Sequence, residues 1–245
     1  MITKEILLET GRKKKLFNKE HIEKSYFQDL LLFYLFKKTN KFIFKGGTAL
    51  YKIYGLPRFS EDLDFSITED LSLEEAERII GEITENSNYF KIKSLKRVKD
   101  SLLIKISCAG ILTKYNTLRV DINFKNKLLR GFDVKNLISD YVDINPFSLR
   151  ILKIEEIIAE KVHAILSREK ARDLYDLFFL LRIAKFDKEL VEEKLKIFEM
   201  KLEKKLLEKR ISNLEKVWEK ELRAFVLDEL PNFNIVKDFV LKEIK

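Results

Sequence analysis

The chain has 245 residues, 46% of them hydrophobic and 36% charged, with a formal charge of +8 and a single cysteine, Cys108. This composition suits an ordered chain with a sizeable core, in one domain or two small ones. It excludes an intramolecular disulfide and a Cys-rich zinc site. No apolar run approaches the roughly 18 residues of a spanning helix, so no membrane is expected. Met1-Ile2-Thr3-Lys4-Glu5 has no apolar leader, and a cytoplasmic location is the expectation.

Along residues 18–38, Ile22, Phe27, Leu30, Leu31, Tyr34 and Leu35 recur at helical spacing, predicting a helix with a broad apolar stripe. His21 lies at its polar start and reads as a surface residue. Phe42-Ile43-Phe44 predicts a buried strand over 42–45, followed by the Gly46-Gly47 turn and a helix over 48–54. Gly55-Leu56-Pro57 breaks the chain before a strand over 62–67. Ser72, with Glu75 three residues on, has capping-box spacing for a helix over 72–85. Strands over 89–97 and 101–108, joined around Lys99-Asp100, read as a hairpin. From 117 to 124, Leu118, Val120, Ile122 and Phe124 share one face; Arg119, Asp121 and Asn123 share the other.

After Pro146 nearly everything reads as helical, with breaks near Arg168, Lys185 and Pro231. The expected class is α+β, a mixed sheet with helices in residues 1–148 followed by an all-α part over 149–245. The charge-dense stretch from Lys194 to Lys220 reads as a solvated helix face.

The chemistry concentrates in Lys45-Gly46-Gly47-Thr48-Ala49-Leu50 and Arg58-Phe59-Ser60-Glu61-Asp62-Leu63-Asp64-Phe65. A strand, a glycine turn and a helix N-terminus present free backbone N–H groups to phosphate. Gly46 and Gly47 let the backbone approach phosphate oxygens closely. Thr48 adds a hydroxyl, or only caps the helix. Asp62 and Asp64, two apart on a strand, share a face and supply oxygen ligands for a hard divalent cation. A lone Asp-x-Asp is more often a solvated loop or a cap. Here Leu63 and Phe65 alternate with the acids, and burying an acidic face without a counter-ion is costly. A phosphate cradle followed by a metal-binding pair points to nucleotide chemistry.

These two blocks, with Glu160-Lys161-Val162-His163-Ala164-Ile165-Leu166 and Arg172-Asp173-Leu174-Tyr175-Asp176-Leu177, resemble the AbiEii/AbiGii-type nucleotidyltransferase toxins. That family belongs to the DNA-polymerase-β-like nucleotidyltransferase superfamily, and the resemblance covers residues 40–182. It implies a polymerase-β-like mixed sheet and a catalytic group of Asp62, Asp64, Asp121, Lys161 and Asp173. Asp62, Asp64 and Asp121 would gather two Mg2+ ions, and an NTP would be the substrate. Gly46, Gly47, Thr48, Arg58 and Ser60 would contact its phosphates, although Arg58 reads equally as a surface cation. Members of the family do not all keep a third acid at the position of Asp121.

Ile154, Ile157, Ile158 and Ile165 mark a buried helical stripe on which Lys161 also falls. A lysine there must snorkel, pair with an acid such as Asp173, or face a cleft. The resemblance favours the cleft and a nucleotide phosphate. It also favours Asp173 as the functional acid over Asp176, which reads as supporting the fold or pairing with Arg172. His163 lies off the stripe and reads as structural.

The expected function is therefore transfer of a nucleoside monophosphate from an NTP to an acceptor, by the toxin of a toxin–antitoxin or phage-defence system. RNA, in particular a tRNA end, is the expected acceptor, since a basic chain favours a polyanion. A cognate antitoxin protein is a possible partner. The alternatives are a protein or small-molecule acceptor, or a nucleotide- or RNA-binding module without turnover. Binding alone does not call for a paired-carboxylate face.

Overall fold

The computed structural model describes residues 2–125 and 127–244. The chain forms two compact units. The first comprises Met1–Gly55, Phe59–Asn126 and Phe132–Ile151; the second comprises Leu56–Arg58, Lys127–Gly131 and Leu152–Lys245. The expected boundary at 148 lies close to the start of the last segment, and of the two short earlier segments one falls at the Gly55-Leu56-Pro57 break read in the sequence. No helix among the described residues is long and apolar enough to cross a membrane.

The first unit begins with α1 (Lys4–Lys13), capped by Thr3, and α2 (Lys19–Lys38), capped by Asn18. Helix α1 went unassigned in the sequence because its charged face is broad. Strand β1 (Phe42–Lys45) leads into α3 (Gly46–Tyr54), which ends on Gly55 in the left-handed region at φ 73°. Next come β2 (Leu63–Ile67), α4 (Leu73–Glu85), the hairpin β3 (Phe90–Val98) and β4 (Ser101–Ala109), and β5 (Tyr115–Asn123). Ser72 caps α4, its hydroxyl accepting from Glu75 N at 3.1 Å.

Strands β6 (Phe132–Leu137) and β7 (Phe147–Leu152) complete a seven-stranded sheet of order β3-β4-β5-β2-β1-β7-β6. Both depart from the all-helical expectation after Pro146 or from the elements read before it. β7 alternates apolar and polar residues for only five positions before the helical pattern begins. β6 is an edge strand whose middle is exposed, so it carries no buried stripe to read.

β1 is antiparallel to β2 and parallel to β7, while β2 is parallel to β5. β1 is buried on both faces, whereas β4 and β5 bury only one. Leu102, Ile104, Ile106 and Cys108 of β4 and Leu118, Val120 and Ile122 of β5 are all buried on that face. Helix α2 packs against β5, and α4 against β3.

A buried ion pair and a buried, hydrogen-bonded carboxylate shape this unit. Lys52 on α3 meets Asp29 on α2 at 2.5 Å, with both side chains 3% exposed. Glu23 takes the N–H groups of Ile111, Leu112 and Thr113, closing the loop between β4 and β5. His21 is half-buried rather than a surface residue, because its ring stacks on Phe59 at 4.6 Å.

The second unit is helical: α5 (Ile154–Ser167), α6 (Ala171–Leu180), α7 (Lys188–Ile197), α8 (Lys204–Asn213), a 3-10 turn (Leu214–Val217), α9 (Trp218–Leu222) and α10 (Phe233–Glu243). α5 is central and packs on α6, α7 and α8. His163 stacks on Phe198 at 3.9 Å. Lys194 is fully buried, against the expectation of a solvated face. Its ammonium donates to Glu156 Oε2 at 2.8 Å and to the Lys127 carbonyl at 2.9 Å. Glu156 also accepts from the N–H groups of Arg130 and Gly131, so the pair fixes the segment 127–131.

Candidate active site

In the first unit the site is built on cross-strand register. Asp64 on β2 lies opposite Lys45 on β1 and Asp121 on β5. Register partners point to the same face, so Lys45, Asp64 and Asp121 form one row across three strands. Asp62 stands one residue before β2 begins. Burial raises the Asp121 carboxyl above its ordinary value; Lys45 and a hydrogen bond from Ser101 offset that, and the charge of Asp62 adds to it.

The glycine turn meets this row directly. Gly46 sits at φ 73° at the start of α3, and a Cβ there would collide with the Asp64 carboxylate. Thr48 does not cap the helix. It lies inside α3, fully buried, and its hydroxyl donates to the Asp62 carbonyl at 2.5 Å, tying the helix to the entry of β2. Ser60 is also buried, and its carbonyl accepts from Gln28 Nε2 at 2.9 Å. The same Gln28 amide donates to the Glu61 carbonyl at 2.8 Å. Gln28 thus holds the segment leading into Asp62.

The residue types present suit a hard divalent cation, which takes carboxylate oxygens. The excess burial cost at Asp121, increased by the charge of Asp62, is of the kind that a cation relieves. Among the described residues no group of three His, Cys, Asp or Glu stands ready to hold a metal. Magnesium needs less than that, since one or two carboxylates with substrate phosphates and water complete its shell.

Arg58, Lys161 and Asp173 lie together in the second unit. The Arg58 guanidinium donates from Nε and Nη2 to the two oxygens of Asp176, at 2.6 and 2.7 Å. Lys161 Nζ lies 2.7 Å from Asp176 Oδ2 and 3.0 Å from Asp173 Oδ1. Arg168 closes the group on Asp173 at 2.8 Å. Burial alone would raise the Asp173 carboxyl, yet Lys161 and Arg168 hold it down to about 2. Burial likewise works against the charged form of Asp176, and Arg58 and Lys161 reverse it. Arg58 is therefore a buried cation, 2% exposed, rather than a surface one. Asp176 pairs with Arg58 across 118 positions of sequence, not with its helical neighbour Arg172.

Sequence reasoning passed over Lys45 and Gln28 as site-shaping groups. Lys45 had a local signal, since it directly precedes the Gly-Gly turn. Gln28 had none, because its partners are distant in sequence. Asp176 reads as supporting the fold, and its partners there are Arg58 and Lys161.

A mixed sheet that sets an acidic cross-strand pair beside a strand–glycine–helix turn is the frame of a nucleotidyltransferase. The family model described as nucleotidyl transferase AbiEii toxin, type IV TA system, matches residues 30–239. The chain belongs to this AbiEii nucleotidyltransferase family.

Among solved structures, the chain is similar to MenT4, a nucleotidyltransferase toxin from Mycobacterium tuberculosis. The TM-score is 0.70 at 20% identity, covering 100% of this chain and 89% of that one. It is similar to a putative nucleotidyltransferase from Helicobacter pylori, with TM-score 0.59, 23% identity, and 91% and 96% coverage. It is also similar to JHP933 from the same organism, with TM-score 0.57, 24% identity, and 91% and 94% coverage. No curated protein matches the sequence.

Proposed function

We propose that the chain is a magnesium-dependent toxin that moves a nucleoside monophosphate from an NTP to RNA, a tRNA end in particular. It would work within a toxin–antitoxin or phage-defence system, with a cognate antitoxin as its protein partner. The carrying observation is the Lys45–Asp64–Asp121 row with Asp62 just ahead of it. Asp62, Asp64 and Asp121 would hold the metal. Bound Mg2+ supplies charge that makes the acceptor hydroxyl more acidic and neutralises the triphosphate and departing pyrophosphate.

The remaining roles fall to the chain itself. Backbone N–H groups at Gly46 and Gly47 receive phosphate oxygens at the start of α3. Ser60 would lend its hydroxyl, while Thr48, bound to the Asp62 carbonyl, holds the turn in shape. The acceptor oxygen bonds to the α-phosphorus as the bond to the bridging oxygen of pyrophosphate breaks, and the acceptor proton leaves to water. Lys161 has three N–H donors, of which two meet Asp173 and Asp176. The third is assigned to a nucleotide phosphate, with Asp173 orienting the ammonium. The net charge of +8 supports a polyanionic acceptor.

The test is incubation with labelled NTPs, magnesium and total RNA. Label is expected in RNA, with transfer lost by at least about 100-fold in Asp64→Asn and Asp121→Asn while the melting temperature holds. Undiminished transfer in both variants overturns the metal site. Label confined to protein in a lysate moves the acceptor from RNA to protein.

A further inference from the structure

The geometry points to the uncovered face of β3, β4 and β5 as the track on which a single-stranded RNA acceptor lies, leading its end to Asp64 and Asp121. This rests on the RNA reading of the acceptor. The buried residues of β4 and β5 face α2 and α4; the alternate residues face outward, and Asp121 is among them. Register extends the acidic row outward, with Asp121 opposite Leu103 and Leu103 opposite Lys96. In the next row Arg119 lies opposite Lys105, and beyond it Ser107 lies opposite Lys91.

Lys91, Lys96, Lys105 and Arg119 are all exposed, and none forms an ion pair among the described residues. Their neighbour Arg97, on the opposite face of β3, is held by Glu77 at 2.6 Å and Glu74 at 3.4 Å. Like charges directly opposite on a sheet are destabilising, so the Lys105–Arg119 pair costs stability that an anionic ligand would return. At the far end, Tyr115 is 64% exposed and offers a ring face for a base. Tyr115 and Asp121 lie on the same face of β5, six positions or about 20 Å apart, which accommodates a few nucleotides.

The test compares the full chain with Lys91→Gln/Lys96→Gln/Lys105→Gln/Arg119→Gln and with Tyr115→Ala. Two quantities are read: binding of a labelled single-stranded RNA over a salt series, and transfer to RNA at saturating NTP. The quadruple variant should bind RNA at least tenfold more weakly at low salt. Its log–log salt slope should flatten by up to about 3, at about 0.7 for each phosphate no longer neutralised. A separate titration of NTP should give an unchanged KM for NTP.

Tyr115→Ala should weaken RNA binding about tenfold, and Tyr115→Phe should restore it. If the quadruple variant folds poorly by its melting curve, Lys105→Gln/Arg119→Gln carries the same comparison at half the slope change. Unchanged RNA affinity and slope overturn the track even where RNA is labelled, and the acceptor reading then stands without it. RNA binding that depends on these residues, with label only on protein, defeats the acceptor reading and overturns the face as an acceptor track, leaving it an RNA-binding face. No affinity of the wild-type chain for single strands overturns the track outright.

Discussion

Gly46 leaves room for the Asp64 carboxylate: a Cβ at Gly46 would lie 2.9 Å from Asp64 Cγ and closer still to Oδ2. The left-handed backbone at Gly46 adds a second reason for glycine, since such a conformation costs other residues about 1–2 kcal/mol. Gly46→Ala should therefore displace the acid as well as strain the turn. The expected result is at least a hundredfold loss of transfer, because small misplacements of reacting groups are that costly. A crystal structure or activity assay showing Asp64 in place and full turnover would falsify the coupling.

The network of Arg58, Lys161, Asp173 and Asp176 should carry stability. Removing one partner of a buried ion pair costs about 3–5 kcal/mol, because the opposing charge is stranded. Lys161→Ala should lower unfolding free energy by about 3 kcal/mol in urea titrations. The same variant reports on the nucleotide. Weakened NTP binding by folded protein supports the phosphate contact; unaltered NTP affinity beside a large stability loss leaves Lys161 to the fold alone.

Acid should weaken the second unit through Asp173. Its carboxyl is held at about 2 against an ordinary 3.8, so folding favours the ionised form. That contribution is fully present above about pH 4 and is lost as pH falls through about 2, and it amounts to about 2 kcal/mol. The urea midpoint should drop across this window, and Lys161→Met should make the drop shallower. A midpoint independent of pH there would contradict the pairing.

Cys108 should be inert in the native chain. It is 1% exposed, and burial pushes its thiol up to about 12. Thiolate is the reactive form, so alkylation at neutral pH should proceed only after denaturant is added. Rapid labelling of the folded chain would show that β4 opens.

How much of this was legible beforehand depends on distance along the chain. Strand β1, the glycine turn, strand β2, the capped helix α4, the β3–β4 hairpin and β5 each announce themselves within about ten residues, through period-2 or period-3.6 patterns and turn chemistry. The Asp62–Asp64 spacing is local in the same sense, and the family was readable from blocks of adjacent residues. The edge strand β6 was not, since it buries no face of its own. Nor was β7, whose short alternation precedes a stronger helical pattern.

What the sequence determined by itself, then, is the set of elements, their chemistry and the acidic motif, because side-chain periodicity is a property of the local backbone. What only the tertiary structure decided is which charges meet. Lys45 and Asp121 reach Asp64 through a strand order that joins β1, β2 and β5. Arg58 finds Asp176 from 118 positions away. Lys194 disappears beneath Glu156 although its stretch reads as solvated. Each such ion must find a counter-charge once packing removes its water, and the partner is whichever acid or base the fold brings within reach, however far away along the chain.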